Sequence, residues 1–185
     1  MGTGTEESDD LVAAAQARAP GAFEALYDAY SGPVYGYVRG LGVPEPDDTV
    51  SEVFVAVVRG LATFRGEEDD FRRWLFTIAH RRAVDAHRAR ARRPVQPADP
   101  ANLPEEVADD DPTEAIEEQL APGVATAALA RLTPEQREVI LLRVVADLSV
   151  ADAAAVMGKQ PGAIKTLQRR ALATLRRIII LPAVS

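Results

Sequence analysis

Apolar residues recur at spacings of three and four along most of the chain, and strand-like alternation appears nowhere. This pattern predicts helices and no strands. Leu11–Ala19 reads as a short helix that Pro20 and Gly21 break. Ala22–Leu41 carries Phe23, Leu26, Tyr27, Tyr30, Val34, Tyr37, Val38 and Leu41 on one side, with a local perturbation expected at Gly32 and Pro33. After a turn at Gly42–Pro46, Asp47 or Asp48 can cap a helix to about Leu61, with Val50, Val53, Phe54, Val57, Val58 and Leu61 inward. Arg65–Asp70 reads as an acidic loop. Phe71–Arg93 then forms a long helix that packs Phe71, Trp74, Leu75, Ile78, Ala79 and Val84 and turns its arginines the other way. These pieces make an all-α bundle of roughly eighty residues, enough for its own core.

A second helical unit follows further along. Ala125–Arg131 is helical in pattern, and Thr133 with Gln136 makes a capping box around Pro134 at the first helical position. Glu135–Ala146 follows with Val139, Ile140, Leu142 and Val144 in an apolar surround. Ser149 can cap the next helix, where Val150, Ala153, Ala154 and Met157 recur at helical spacing. Gly158 can take the positive φ that ends it, and Pro161 suits the start of a last helix reaching about Ile180. Two short helices joined by a tight turn are the build of a DNA-binding helix-turn-helix. Lys165, Thr166, Gln168, Arg169 and Arg170 on the second helix are the residue types that reach base edges and phosphates. A helical hairpin with a solvated basic face fits the same residues.

The units are separated by residues 94–123, which hold nine acidic residues, six prolines and no Lys or Arg. Such a stretch cannot form long helix or buried sheet, so it is expected to be a linker, with a helical turn or two around Thr113–Leu120. It also explains why the net charge of −7 misleads. Residues 71–93 hold eight Arg against Asp85 alone, and residues 131–177 hold nine cations against four carboxylates. Two basic patches on an acidic chain point to two contacts with a polyanion. The expected order is an acidic, disordered tail (1–10), a first unit (11–93), the linker (94–123), a second unit (124–181) and a short tail (182–185).

The chain has no cysteine, which excludes disulfides and thiolate metal sites. Its two histidines, His80 and His87, sit seven apart on one predicted helix without a carboxylate set, so they read as polar or DNA-facing positions, with no metal. No Gly-rich phosphate loop follows a strand, and no catalytic residue or cofactor is expected. The acidic start lacks the apolar core of a signal peptide, and no apolar run approaches membrane-spanning length. A cytoplasmic protein without membrane insertion is the expectation.

Five segments in this order resemble the extracytoplasmic-function (ECF) sigma factors of bacterial RNA polymerase. They are Phe23-Glu-Ala-Leu-Tyr-Asp-Ala-Tyr30, Asp48-Thr-Val-Ser-Glu-Val-Phe54 and Phe71-Arg-Arg-Trp-Leu-Phe-Thr-Ile-Ala79 with Asp85 and Arg88, then Leu132 to Arg143 and Ser149 to Ala171. The resemblance covers roughly residues 11–93 and 124–178. It departs from the family pattern at Thr49 and Ser51, where Leu and Gln are usual, and at Arg81 and His87, where Asn and Leu are usual. Leu167, Gln168 and Arg169 stand where Arg, Leu and His are usual, so the promoter sequence does not carry over.

The resemblance implies a division of labour. Asp48, Ser51, Glu52, Val55 and Arg59 would dock on the clamp helices of the polymerase's largest subunit. Arg65, Arg72, Arg73, His80, Arg81, Arg82 and Arg88 would melt and hold the −10 promoter element, the Arg65–Asp70 loop taking a flipped base. The acidic linker would run through the RNA exit channel. The last helices would meet the flap and read the −35 element. Partners implied are core RNA polymerase, promoter DNA and an anti-sigma factor. The competing function is a stand-alone helix-turn-helix regulator whose first bundle senses a signal or dimerises. The Arg-rich helix argues against that, because a sensor has no need of it. Trp74, within its apolar row, is expected in the core rather than stacked on a base. Tyr27, Tyr30, Tyr35 and Tyr37 are expected mostly in the core.

Overall fold

The computed structural model describes residues 11–92 and 122–180, and among these there are helices and no strand. The acidic N-terminal tail, nearly all of the predicted linker, including the turn at 113–120, and the last five residues lie outside the described residues. Helix α1 covers 11–16. It is followed by α2 (Ala22–Gly40), α3 (Pro46–Leu61), α4 (Glu68–Arg92), α5 (Pro122–Ala130), α6 (Pro134–Ile140), α7 (Val150–Met157) and α8 (Pro161–Ile180). A π-helical turn, Leu141–Val145, continues α6.

The apolar spacing decides each buried face. On α2, Leu26, Tyr30, Val34, Tyr37 and Val38 are buried, and the helix continues through Pro33 without interruption. Pro33 lies inside one helix, as the single amphipathic helix expected from sequence requires, with buried Tyr30 and Val34 on either side of it. On α4 the stripe is Phe71, Leu75, Phe76, Ala79 and Ala83. Edge-to-face rings knit the first unit: Tyr30 on Phe71 at 5.3 Å, Tyr37 on Phe76 at 5.5 Å and Phe64 on Phe71 at 5.6 Å. Such pairs add about 0.5–1.5 kcal/mol each beyond the area they bury. Trp74 stacks on Phe64 at 5.2 Å, so it packs within the bundle as expected. Gln16 ties α1 down by donating to the carbonyls of Leu61 (3.0 Å) and Phe64 (2.9 Å).

Several local expectations are corrected. Neither Asp47 nor Asp48 caps α3: the cap is Glu45 without a side-chain bond, and the two aspartates lie in the first turn, where they complement the helix dipole. Helix α4 begins at Glu68, so the loop is shorter than 65–70, and Glu68, Asp69 and Asp70 form its first turn. Val58 is 55% exposed because it lies on the margin of the stripe formed by Val50, Val53, Phe54, Val57 and Leu61. Val144 is 63% exposed. Leu142 goes inward as expected, and the π-helical turn after Ile140 brings Leu141 inward as well. Pro122 and Gly123, assigned by sequence to the linker, start α5.

The second unit closes as predicted at its ends. Thr133 and Gln136 make the reciprocal capping box, Ser149 accepts from the Asp152 amide, and Gly158 takes φ 62°. The two units share one continuous core: Val139, Leu141, Leu142, Leu148, Ala153 and Ile164 belong to the same buried cluster as Tyr37, Leu75 and Phe76. A small satellite of Leu132, Ile140 and Ala171 joins the α6 region to α8.

Candidate nucleic-acid interface

The helix-turn-helix rests on α7 and α8, held by buried Ala153, Ala154, Ile164 and Ala171. Leu167, one turn from Ile164, packs against the core, leaving Lys165 and Arg169 exposed and Gln168 half-buried. Those three line a shallow groove along α8 with Leu172, Ala173 and Arg176. Thr166 and Arg170 do not line it. The Thr166 hydroxyl donates to the Gly162 carbonyl of its own helix at 3.0 Å, and Arg170 is exposed on another side. The sequence reading missed Arg176, although it continues the three-and-four spacing from Lys165 through Arg169 and Leu172.

The residues expected to meet the −10 element do not form one surface. Arg65 curls back, donating to the carbonyls of Ala62 (3.1 Å) and Phe64 (2.6 Å). Arg81 and Arg88 face solvent, Arg88 being 3.8 Å from Asp85. Arg82 lies 3.8 Å from Glu52 of α3, linking a predicted DNA residue to a predicted polymerase residue. Arg72, Arg73 and His80 instead face the second unit. Arg72 pairs with Glu68 at 2.8 Å and Asp147 at 3.7 Å, and its guanidinium sits 5.8 Å over the Tyr30 ring. Arg73 pairs with Asp70 at 2.7 Å and Asp152 at 3.2 Å. His80 Nδ1 lies 2.7 Å from Glu138. The acids of the second unit were not singled out by sequence, because their partners are some sixty to eighty residues away.

Electrostatics around these groups follow burial. Desolvation, with Glu68 beside it, pushes the Tyr30 phenol up to about 12 despite the opposing Arg72 charge. Tyr37 is also held well above its ordinary value, by burial first and then by Glu138. Both hydroxyls therefore stay protonated and serve as donors at neutral pH: Tyr30 to Glu68 at 3.1 Å, Tyr37 to Glu138 at 3.4 Å.

On α3, Asp48, Ser51, Glu52, Val55 and Arg59 are all exposed, one stripe at helical spacing opposite the buried face. Val58 joins this stripe beside Val55, itself 48% exposed, giving an apolar pair within a polar rim. Among the described residues no group of His, Asp and Glu is arranged to hold a metal ion. No described helix is long and apolar enough to cross a membrane.

Residues 26–93 match the sigma-70 region 2 family, and residues 124–175 match sigma-70 region 4. The chain is 39% identical over 172 residues to the ECF RNA polymerase sigma factor BldN of Streptomyces coelicolor, covering 92% of this chain and 65% of that one. It is 31% identical over 185 residues to the RNA polymerase sigma factor CnrH of Cupriavidus metallidurans, covering 94% and 95%. The chain thus spans just under two thirds of the length of BldN and nearly all of CnrH. Among solved structures, the sigma factor RpoE of Bartonella quintana, in complex with the anti-sigma factor NepR, aligns with TM-score 0.68 and 25% identity. That alignment covers 86% of this chain and 97% of RpoE.

Proposed function

The chain belongs to the ECF family of RNA polymerase sigma factors, and on that premise we propose that it binds core polymerase and directs promoter-specific initiation. The observation that carries this reading is the placement of three solvent-facing surfaces on one chain. These are the cationic groove of α8, the part of α4 that carries exposed Arg81, Arg88, Arg90 and Arg92, and the exposed stripe on α3 that includes Val55 and Val58. Helix α8 reads the −35 element, with Gln168 suited to a base edge and Lys165, Arg169 and Arg176 suited to phosphates. Helix α4 handles the −10 element through Arg72, Arg73, Arg81, Arg82 and Arg88. Asp48, Ser51, Glu52, Val55, Val58 and Arg59 dock on the polymerase clamp helices. The acidic linker follows the RNA exit channel, where its carboxylates meet a basic wall. The protein performs no chemistry itself; the polymerase does. It acts in the cytoplasm, and an anti-sigma factor regulates it, a reading supported by the capture of its structural relative RpoE with NepR.

Run-off transcription with purified bacterial core polymerase on a library of promoter-sized duplexes tests the proposal. Transcripts that require the protein and share two spaced upstream elements support it. No transcript and no co-elution with core polymerase overturn it.

A further inference from the structure

We propose that Gln16 of α1 is a positioning residue of the −10 site, holding the α3–α4 loop in shape while Arg65 swings out to nucleic acid. The inference rests on the reading of that loop, residues 62–67, as part of the −10 site. Helix α1 lies ahead of the segment that matches region 2, which begins at residue 26. It is nevertheless docked on the bundle, with Val12 and Ala15 buried in the common core. That docking delivers the Gln16 side chain to the far end of α3. Its amide nitrogen donates to the Leu61 carbonyl at 3.0 Å and to the Phe64 carbonyl at 2.9 Å, across 45 and 48 positions of chain. A primary amide has two N–H donors, and both are used here. The start of the loop is therefore held by a residue far outside it.

The backbone is fixed on both sides of Arg65. Before it, the Phe64 ring packs on Phe71 at 5.6 Å and on Trp74 at 5.2 Å. After it, Gly66 takes φ 145°, which residues with a side chain rarely adopt, and a Cβ there would lie 2.6 Å from Asp70 Cβ. The Glu67 amide donates to Asp70 at 3.4 Å. Arg65 itself is exposed, and its guanidinium donates only to neutral acceptors, the Ala62 and Phe64 carbonyls, at 3.1 and 2.6 Å. Charged acceptors bind a guanidinium more strongly, so a phosphate brought to the loop outcompetes these carbonyls. The exposed Ala62 carbonyl is then left to solvent, but the half-buried Phe64 carbonyl would be orphaned if Gln16 did not share it. An unpaired carbonyl there is costly, so Gln16 lowers the cost of releasing Arg65. It also keeps the released side chain on a fixed backbone, which a site needs in order to prefer one base over another.

The test compares three variants of the full chain, each assembled with core polymerase. Gln16→Leu keeps the bulk and removes both donors. Gln16→Glu replaces them with acceptors that repel the two carbonyls, and Gln16→Lys keeps donors that reach both. Run-off transcription is measured on the promoter that the duplex library yields, with each base of its −10 element substituted in turn. Gln16→Leu and Gln16→Glu are expected to flatten the preference at one −10 position on the order of tenfold, with core affinity and −35 preference unchanged. Gln16→Lys should retain that preference. Trp74, the one tryptophan, reports the loop through its stack on Phe64, so its emission should shift in the Leu and Glu forms and stay in place in the Lys form. A merely structural role would weaken transcription from every substituted duplex alike, and that result overturns the proposal. Full base preference in the Leu and Glu forms overturns it as well, as does a Lys form that behaves like the Leu form. If the unaltered protein transcribes and the variants discriminate as it does, this inference alone fails. If the unaltered protein neither transcribes nor binds core, the sigma-factor reading fails and this inference fails with it.

Discussion

The Glu138 carboxylate lies 2.7 Å from Nδ1 of His80, and the Tyr37 hydroxyl sits 3.4 Å from each of them. This trio joins α2, α4 and α6, three helices from two units, around a tyrosine that is completely buried. Replacing Glu138 with Ala removes the carboxylate that accepts from the Tyr37 hydroxyl. The expected cost is about 1–3 kcal/mol, read as a lower urea midpoint, whereas Glu138→Gln keeps an oxygen acceptor and loses less. Equal midpoints for Glu138→Ala and the unaltered protein would show that the trio adds nothing to stability.

The two buried tyrosines make the fold sensitive to alkali. Their phenols ionise higher in the folded chain than in the unfolded one, Tyr30 at about 12 against an ordinary 10. The stability arising from this difference is complete below pH 10 and is lost as pH rises toward 12. Phenolate absorbance should therefore show two of the four tyrosines ionising late, together with loss of helical circular dichroism. Tyr30→Phe should remove one late group. Four tyrosines titrating near pH 10 with the helices intact would contradict the burial argument.

Gly60 meets the six-membered ring of the single tryptophan: a Cβ there would lie 2.7 Å from Trp74 Cζ2. That half-buried ring also stacks on Phe64 at 5.2 Å, so yielding to the new methyl disturbs a second contact. Gly60→Ala gains helix propensity but overpacks this contact, with an expected net loss of about 1–3 kcal/mol. Tryptophan fluorescence should shift in the folded variant, since Trp74 is the one emitter of that kind. An unshifted spectrum and unchanged stability would mean that the ring moves freely.

The groove on α8 makes a finer prediction for DNA binding. Lys165→Ala, Arg169→Ala and Arg176→Ala should each weaken −35 duplex binding across sequences and lower the salt slope by about one, as expected for a lost phosphate contact. Gln168→Ala should instead relax preference at one base pair, by about 1–3 kcal/mol of discrimination. Arg170→Ala, off the groove, should do less than Arg176→Ala. Anisotropy titrations with holoenzyme at several salt concentrations distinguish these cases, and a larger effect at Arg170 would move the interface to another side of the helix.

Much of this was readable from the chain because it depends on local chemistry. The Thr133–Gln136 box, the Ser149 cap, the left-handed Gly158 and the proline that opens α8 each involve residues within a few positions of one another. The buried stripes of α2 and α4 follow from a helix repeat that any apolar periodicity reveals. Helix boundaries differ by a few residues at Glu45, Glu68 and Pro122, and two buried-face assignments differ for a tertiary reason. Val58 and Val144 are apolar by composition but stand outside the packed faces. Nothing in the run Glu138–Ala146 signals that a π-helical turn replaces the end of an α-helix there.

The sequence by itself determined the helices, the caps at Thr133, Ser149 and Gly158, the division into two basic helical units and the exposed stripe of α3. Only the tertiary structure decided that Arg72, Arg73 and His80 turn toward Asp147, Asp152 and Glu138, and that Gly36 and Gly40 admit the π-helical turn. The physical reason is separation along the chain. Caps and periodicity are set by neighbours three or four residues apart. The contact between the two units pairs residues some sixty to more than one hundred positions apart, whose meeting depends on how two apolar faces pack.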